Sequence, residues 1–181
     1  MELALTNNKK RIPLILGCHN ATRNGELDFR GIDIVVALKN GFCLLLQIKS
    51  SEGSLAKHKR RHPLIPAFVA KRDLNDIQIA TEVLKIIRRQ AKLPFEIATR
   101  YLAGESGEIK GLGGDMLVVL KNGFGLFVRS EPDKKDCKDQ GKLCCQMPTI
   151  EIPGSWEYQQ IKADLKKIIE SRRKQFFKIA P

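Results

Sequence analysis

Short apolar blocks separated by polar and glycine-containing stretches predict strands along most of the chain, with two longer blocks at helical spacing. The stretch GIDIVVALKNGFCLLLQIKSS, residues 31–51, sets two apolar runs around Asn-Gly, the strongest short-range hairpin signal. IPLILG (12–17) predicts a strand before this hairpin, and IPAFVA (65–70) predicts one after it, beyond a polar connection. A helix is then expected from Asp73 or Asn75. Asn75 and Gln78 have capping-box spacing, and Ile77, Ala80, Val83, Leu84 and Ile87 recur at helical intervals. The same order returns further on: LPFEIAT (93–99), a second hairpin, and MPTIEI (147–152). A helix from about Trp156 to Phe176 follows, capped by Ser155, with Ile161, Leu165, Ile168 and Ile169 on its buried side.

The recurrence keeps one register. NGELDFRGIDIVVALKNGFCLLLQIK (24–49) falls without a gap on SGEIKGLGGDMLVVLKNGFGLFVRSE (106–131), which sets Asp33 on Asp115. Gly25-Glu26 meets Gly107-Glu108, Pro66 meets Pro148, and Ile86-Ile87 meets Ile168-Ile169 at the same offset. The pattern predicts an internal duplication, with 1–91 as the first repeat and 92–181 as the second. The two could form one compact pseudo-dimeric unit. Each half lacks a long helix ahead of its first strand. The helix near 75–91 is therefore expected to serve the second half and the C-terminal helix the first. Strands alternating with helices place the chain in the α/β or α+β class.

The far ends of the first hairpin carry polar residues: Asp33 at one, Gln47 and Lys49 at the other. Facing residues of a hairpin share a face and neighbours alternate, so the turn decides whether they meet. A two-residue turn at Asn40-Gly41 points Asp33 away from Gln47 and Lys49. A three-residue loop, Lys39-Asn40-Gly41 with Gly41 left-handed, sets Asp33 opposite Gln47 and Lys49 on the same face. The gathered set suits phosphodiester hydrolysis. Asp33, the Gln47 side chain and the Ile48 carbonyl are hard oxygen ligands for Mg²⁺ or Mn²⁺, and Lys49 is a point charge for a phosphate transition state. Glu26, present in both halves as Gly-Glu, is the candidate for a further metal ligand.

GID at the start of one strand and QIKSS at the end of the next resemble the PD-(D/E)XK, or restriction-endonuclease-like, nuclease superfamily, in its QxK, Mrr-like branch. The resemblance spans about residues 25–90. It implies a mixed sheet flanked by helices and Mg²⁺-dependent cleavage of DNA. Asp33 would be the metal ligand, Gln47 would stand at the acidic position, and Lys49 would be the catalytic lysine. In the second half Asp115 is retained, but Gln47 is replaced by Arg129 and Lys49 by Glu131. That half reads as degenerate, with Arg129 free to pair with the flanking carboxylates.

Charge strengthens the nucleic-acid reading. The chain carries 32 Lys and Arg against 20 Asp and Glu, a net charge of +12, which favours a polyanionic partner. KHKRRH (Lys57, His58, Lys59, Arg60, Arg61, His62) follows Lys49 closely and is expected to clamp phosphates in a basic loop. Lys166, Lys167, Arg172, Arg173 and Lys174 of the last helix could extend that surface. No apolar run is long enough to span a membrane, and no signal peptide is evident, so a cytoplasmic protein is expected. Of the five cysteines, Cys43 falls within a strand and is expected to be a buried thiol, while Cys137, Cys144 and Cys145 lack zinc-ligand spacing. Residues 132–142 read as a polar surface connection. The expectation is therefore a nuclease acting on DNA as a monomeric pseudo-dimer or a homodimer. Its rival is an inactive pseudo-nuclease that binds nucleic acid or protein.

Overall fold

A computed structural model describes residues 14–70, 74–104, 107–129 and 158–179, with side chains of the last helix described over 162–175. Seven strands and five helices give a mixed α+β architecture: β1 (Ile15–Asn20), α1 (Glu26–Phe29), β2 (Ile34–Leu38), β3 (Cys43–Lys49), α2 (Glu52–Arg61), β4 (Ala67–Val69), α3 (Asp76–Ala91), β5 (Ile97–Leu102), α4 (Glu108–Gly111), β6 (Met116–Leu120), β7 (Phe124–Val128) and α5 (Tyr158–Ile179). The strand expected at 147–152, the Ser155 cap, the three clustered cysteines and the 132–142 connection lie outside the described residues.

The strands form one open sheet in the order β1-β2-β3-β7-β6-β5, antiparallel throughout, with β4 added parallel to β3. The two hairpins meet where Cys43 pairs with Gly125, and these two positions are the ones the sequence offset equates. Local details recur at that offset. Asp33 N–H donates to Leu46 and Asp115 N–H to Val128, at 2.9 and 2.7 Å; Ala21 and Ala103 donate to the carbonyls of those aspartates at 2.8 and 2.9 Å. β1 is irregular between Ile15 and Gly17, and β5 between Ile97 and Thr99.

Because β2, β6 and β7 are buried along their whole length, both sheet faces need a cover. On one face Ile34, Val36, Leu44, Leu46, Val118 and Leu126 pack with Val83 and Ile87 of α3 and with Leu165 and Ile169 of α5. On the other, Val35, Cys43, Leu45, Leu117 and Phe127 pack with Leu27 of α1, Ile109 of α4 and Ile65. Both layers draw on residues from 1–91 and from 92–181. Arg172 of α5 donates to the Asn40 carbonyl in the first hairpin's turn at 2.8 Å. Phe42, Phe95 and Phe124 cluster with centroids 5.2–6.0 Å apart, Phe95 stacked on Phe124 and Phe42 tilted against both.

α3 starts where its capping box places it. The Asn75 side chain accepts from Gln78 N–H, and the Gln78 side chain accepts from Asn75 N–H. Its buried stripe is rotated from the expected one: Ile86 and Gln90 are buried, whereas Ile77 is half exposed. Ile77 stands in the first turn, and the buried stripe begins at Ala80. The connection between β3 and β4 is not a loop but the ten-residue helix α2, capped by Ser51, whose hydroxyl accepts from Ser54 N–H. It is the crossover that parallel strands require.

A candidate active site where the sheet forks

Gly41 decides the hairpin. Its φ of +79° is left-handed, its N–H reaches the Leu38 carbonyl at 2.9 Å, and Leu38 N–H donates to Phe42. This is the three-residue loop. β2 and β3 accordingly pair Ile34 with Leu46 and Val36 with Leu44. Just beyond Ile34 and Leu46 the pairing leaves regular step: Asp33 N–H donates to the Leu46 carbonyl at 2.9 Å, and its own carbonyl turns to Ala21 of the β1 side. Side chains alternate along a strand, so Gln47 and Lys49 leave β3 on the face of Leu45, the one covered by α1 and α4, and both Asp33 and Lys49 lie close enough to His58 to act on its charge.

Backbone pairing explains why these residues gather where they do. β3 changes partner along one edge: its first residues pair with β7, and Gln47, Ile48 and Lys49 pair with β4. Gln47 N–H donates to the Pro66 carbonyl at 3.0 Å, and Lys49 accepts from Ala70 N–H at 2.8 Å. On its other edge β3 outruns β2, because the chain turns away at Gly31, whose φ is +75°. Ile48 N–H would be orphaned there, and the Asp33 carboxylate accepts it at 2.8 Å. The Ile48 carbonyl leaves the strand on the same side as its N–H, next to that carboxylate. Gln47 is 4% exposed, and Asp33 and Lys49 are half-buried. Among the described residues no carboxylate lies within ion-pair distance of the Lys49 ammonium.

Two imidazoles brace this corner from α2. His58 is 4% exposed, and its Nε2 lies 3.1 Å from the Ile65 carbonyl, one residue before the Pro66 that holds Gln47. Its ring stacks on His62 at 5.3 Å. The His62 ring in turn presses on Gly31, where an added Cβ would fall 2.5 Å from Cγ. Burial pushes the His58 pKa below its ordinary value; His62 and Lys49 add to this, while the Ile65 hydrogen bond and Asp33 oppose it.

Two site expectations are corrected here. Glu26 does not join Asp33. Its carboxylate accepts from Ile109 N–H of α4 at 3.4 Å and lies 3.8 Å from Arg30. Glu108 returns the contact, accepting from Leu27 N–H of α1 at 3.2 Å and from Thr22 N–H at 2.5 Å, with His19 Nε2 at 3.3 Å. The glycine before each acid makes room for the other's carboxylate. A Cβ on Gly25 would meet Glu108 at 2.8 Å, and one on Gly107 would meet Glu26 at 2.6 Å. The recurring Gly-Glu is thus a reciprocal clasp between α1 and α4. The sequence held a sign of this, since Glu108 survives in the half whose Gln and Lys are gone.

His58, the second correction, is buried and so is not part of a phosphate-binding surface, and His62 is half-buried against Gly31. Lys57, Lys59, Arg60 and Arg61 do remain exposed on α2. The basic residues of α5 lie across the sheet, since Leu165 and Ile169 pack on the opposite face from Gln47 and Lys49. They do not extend the α2 surface.

In the second half Asp115 is held by Lys110, whose Nζ lies 2.5 Å from Oδ1. Arg129 Nε donates to the Gly113 carbonyl at 2.6 Å, and Glu131 lies outside the described residues. Cys43 is buried, as expected, and burial pushes its thiol up to about 12. Among the described residues no helix is long and apolar enough to cross a membrane. Nor do any three His, Cys, Asp or Glu side chains cluster closely enough to hold a metal. Comparison of the chain with protein-family models, curated proteins and solved structures finds no match.

Proposed function

We propose that this chain is an internally duplicated, restriction-endonuclease-like nuclease. It hydrolyses phosphodiester bonds of DNA at Asp33, Gln47 and Lys49 of its first half. The observation that supports the reading is the Asp33 carboxylate on Ile48 N–H at the fork of the sheet, between Gln47 and Lys49 of the same strand. Asp33, the Gln47 amide oxygen and the Ile48 carbonyl are hard donors of the kind Mg²⁺ or Mn²⁺ takes, and a single carboxylate suits an ion that keeps several of its waters. When bound, that ion supplies Lewis-acid polarisation of the phosphate and a more acidic water.

The chain's own groups do the rest. Lys49 places a fixed positive charge where negative charge builds on the phosphate oxygens. Lys57, Lys59, Arg60 and Arg61 hold the DNA backbone alongside. Water supplies both the new P–O bond and the proton that leaves with the departing sugar alkoxide, so no other reactant is needed.

A second reading, a pseudo-nuclease that only binds nucleic acid or a protein partner, is favoured by one observation. With Glu26 committed to α4, Asp33 is the one acid of the set. Plasmid DNA and Mn²⁺ separate the two. For the nuclease, Lys49→Ala loses roughly 10²–10³ of the cleavage rate, the usual cost of removing one transition-state donor. Asp33→Asn abolishes cleavage while salt-sensitive DNA binding persists. Equal cutting by wild type and Lys49→Ala, or none by wild type with binding retained, establishes the binding module.

A further inference from the structure

We infer that each chain holds one metal site and therefore cuts one strand of duplex DNA per engagement, as a nicking enzyme. This rests on the reading of the first half as a nuclease and concerns what the second half has become. Asp115 stands where Asp33 does in its own hairpin, with the same backbone hydrogen bond to the residue before Arg129 that Asp33 makes to the residue before Gln47. The surroundings are inverted in charge. Lys110 takes the position that Asp28 holds in the first half. There Asp28 accepts from Asn24 N–H, whereas the Lys110 ammonium sits on the Asp115 carboxylate. Arg129 brings a second cation in place of a neutral amide ligand.

The corner is thus filled by resident cations, an ammonium where a metal would bind. A divalent ion would have to displace one positive charge and sit beside another, with no lysine following at position 131. Geometry separates the two corners as well. β3 and β7 run antiparallel and pair at their first residues, so their far ends diverge by roughly 25 Å at the usual rise per strand residue. The degenerate corner cannot serve the strand held at Asp33.

The full-length protein is tested in two ways. Supercoiled plasmid with Mn²⁺ is expected to become open-circular, with linear DNA appearing only later, once independent nicks coincide. Mn²⁺ titration followed by electron paramagnetic resonance is expected to give one site per chain. That site should be lost in Asp33→Asn and kept in Asp115→Asn. Linear product rising with open circles from the earliest times, or two Mn²⁺ per chain in the wild type, overturns single-strand cutting and leaves the nuclease reading standing. Wild type that neither cuts DNA nor binds Mn²⁺ removes the first site itself, and this inference with it.

Discussion

Replacing Gly31 by alanine tests how the corner that carries Asp33 is held. Gly31 has φ +75°, a conformation that costs a residue with a Cβ about 1 kcal/mol or somewhat more. The new Cβ would also fall 2.5, 2.7 and 2.9 Å from the Cγ, Cδ2 and Nδ1 atoms of His62. That ring cannot simply swing away, because its other face is stacked on buried His58. Overpacking of this kind costs about 1–3 kcal/mol. Alanine's lower entropy in the unfolded chain returns about 0.4–1 kcal/mol. The net loss is therefore about 1–3.5 kcal/mol, or roughly 2–14 °C in Tm for a chain of this length.

The double variant with His62→Ala isolates the clash. It should be less destabilised than the sum of the single variants by about 1–3 kcal/mol, because removing the ring removes the overlap but not the backbone strain. Urea unfolding followed by circular dichroism at 222 nm measures both quantities. Gly17→Ala is the control. Nothing lies within 4 Å of its added Cβ, so a change within about 0.5 kcal/mol is expected. Additive single and double variants, or Gly31→Ala no worse than the control, would refute the bracing of Gly31 by the imidazole pair.

Two further predictions concern stability. The His58 pKa lies below 6.5 in the folded chain, chiefly through burial, so below that pH the unfolded chain binds the extra proton first. Its contribution is fully present above about pH 6.5 and is lost as the pH falls toward the lowered value. His58→Gln should therefore show a smaller drop in urea midpoint between pH 7.5 and 5 than wild type; an equal drop would assign the acid sensitivity elsewhere. Asn75→Ala removes the hydroxyl-free cap of α3, an amide oxygen 3.0 Å from Gln78 N–H, and should cost about 1 kcal/mol, or roughly 2–4 °C in Tm. A shift too small to resolve in a thermal melt would mean the cap does not hold the helix start.

Much of this molecule was legible before its coordinates, and the failures share a cause. The Asn75–Gln78 box marked the start of α3 because a cap is a local device, satisfied within four residues. α2 was hidden by its charge: Lys57, Lys59, Arg60 and Arg61 read as a loop, while the Ser51 cap and buried His58 were the only helical signs. Glu26 was misread because nothing local shows that a carboxylate is used by a helix 82 residues on. The N–H it accepts from, at Ile109, belongs to the opposite half, just as Glu108 accepts from Leu27 across the same divide.

By itself the sequence indicated the two hairpins, the strands ahead of them, the start of α3 and the presence of Asp33, Gln47 and Lys49 near one hairpin. It left open the turn, and with it the face on which Asp33 lies. β2 and β3 are buried on both sides, so they lack the apolar–polar alternation that ordinarily fixes register. Tertiary packing chose. The three-residue loop sends Phe42 into the aromatic cluster with Phe95 and Phe124 and lets Arg172 of α5 reach the Asn40 carbonyl. Those contacts come from residues distant in the chain, and they decided which turn the hairpin makes.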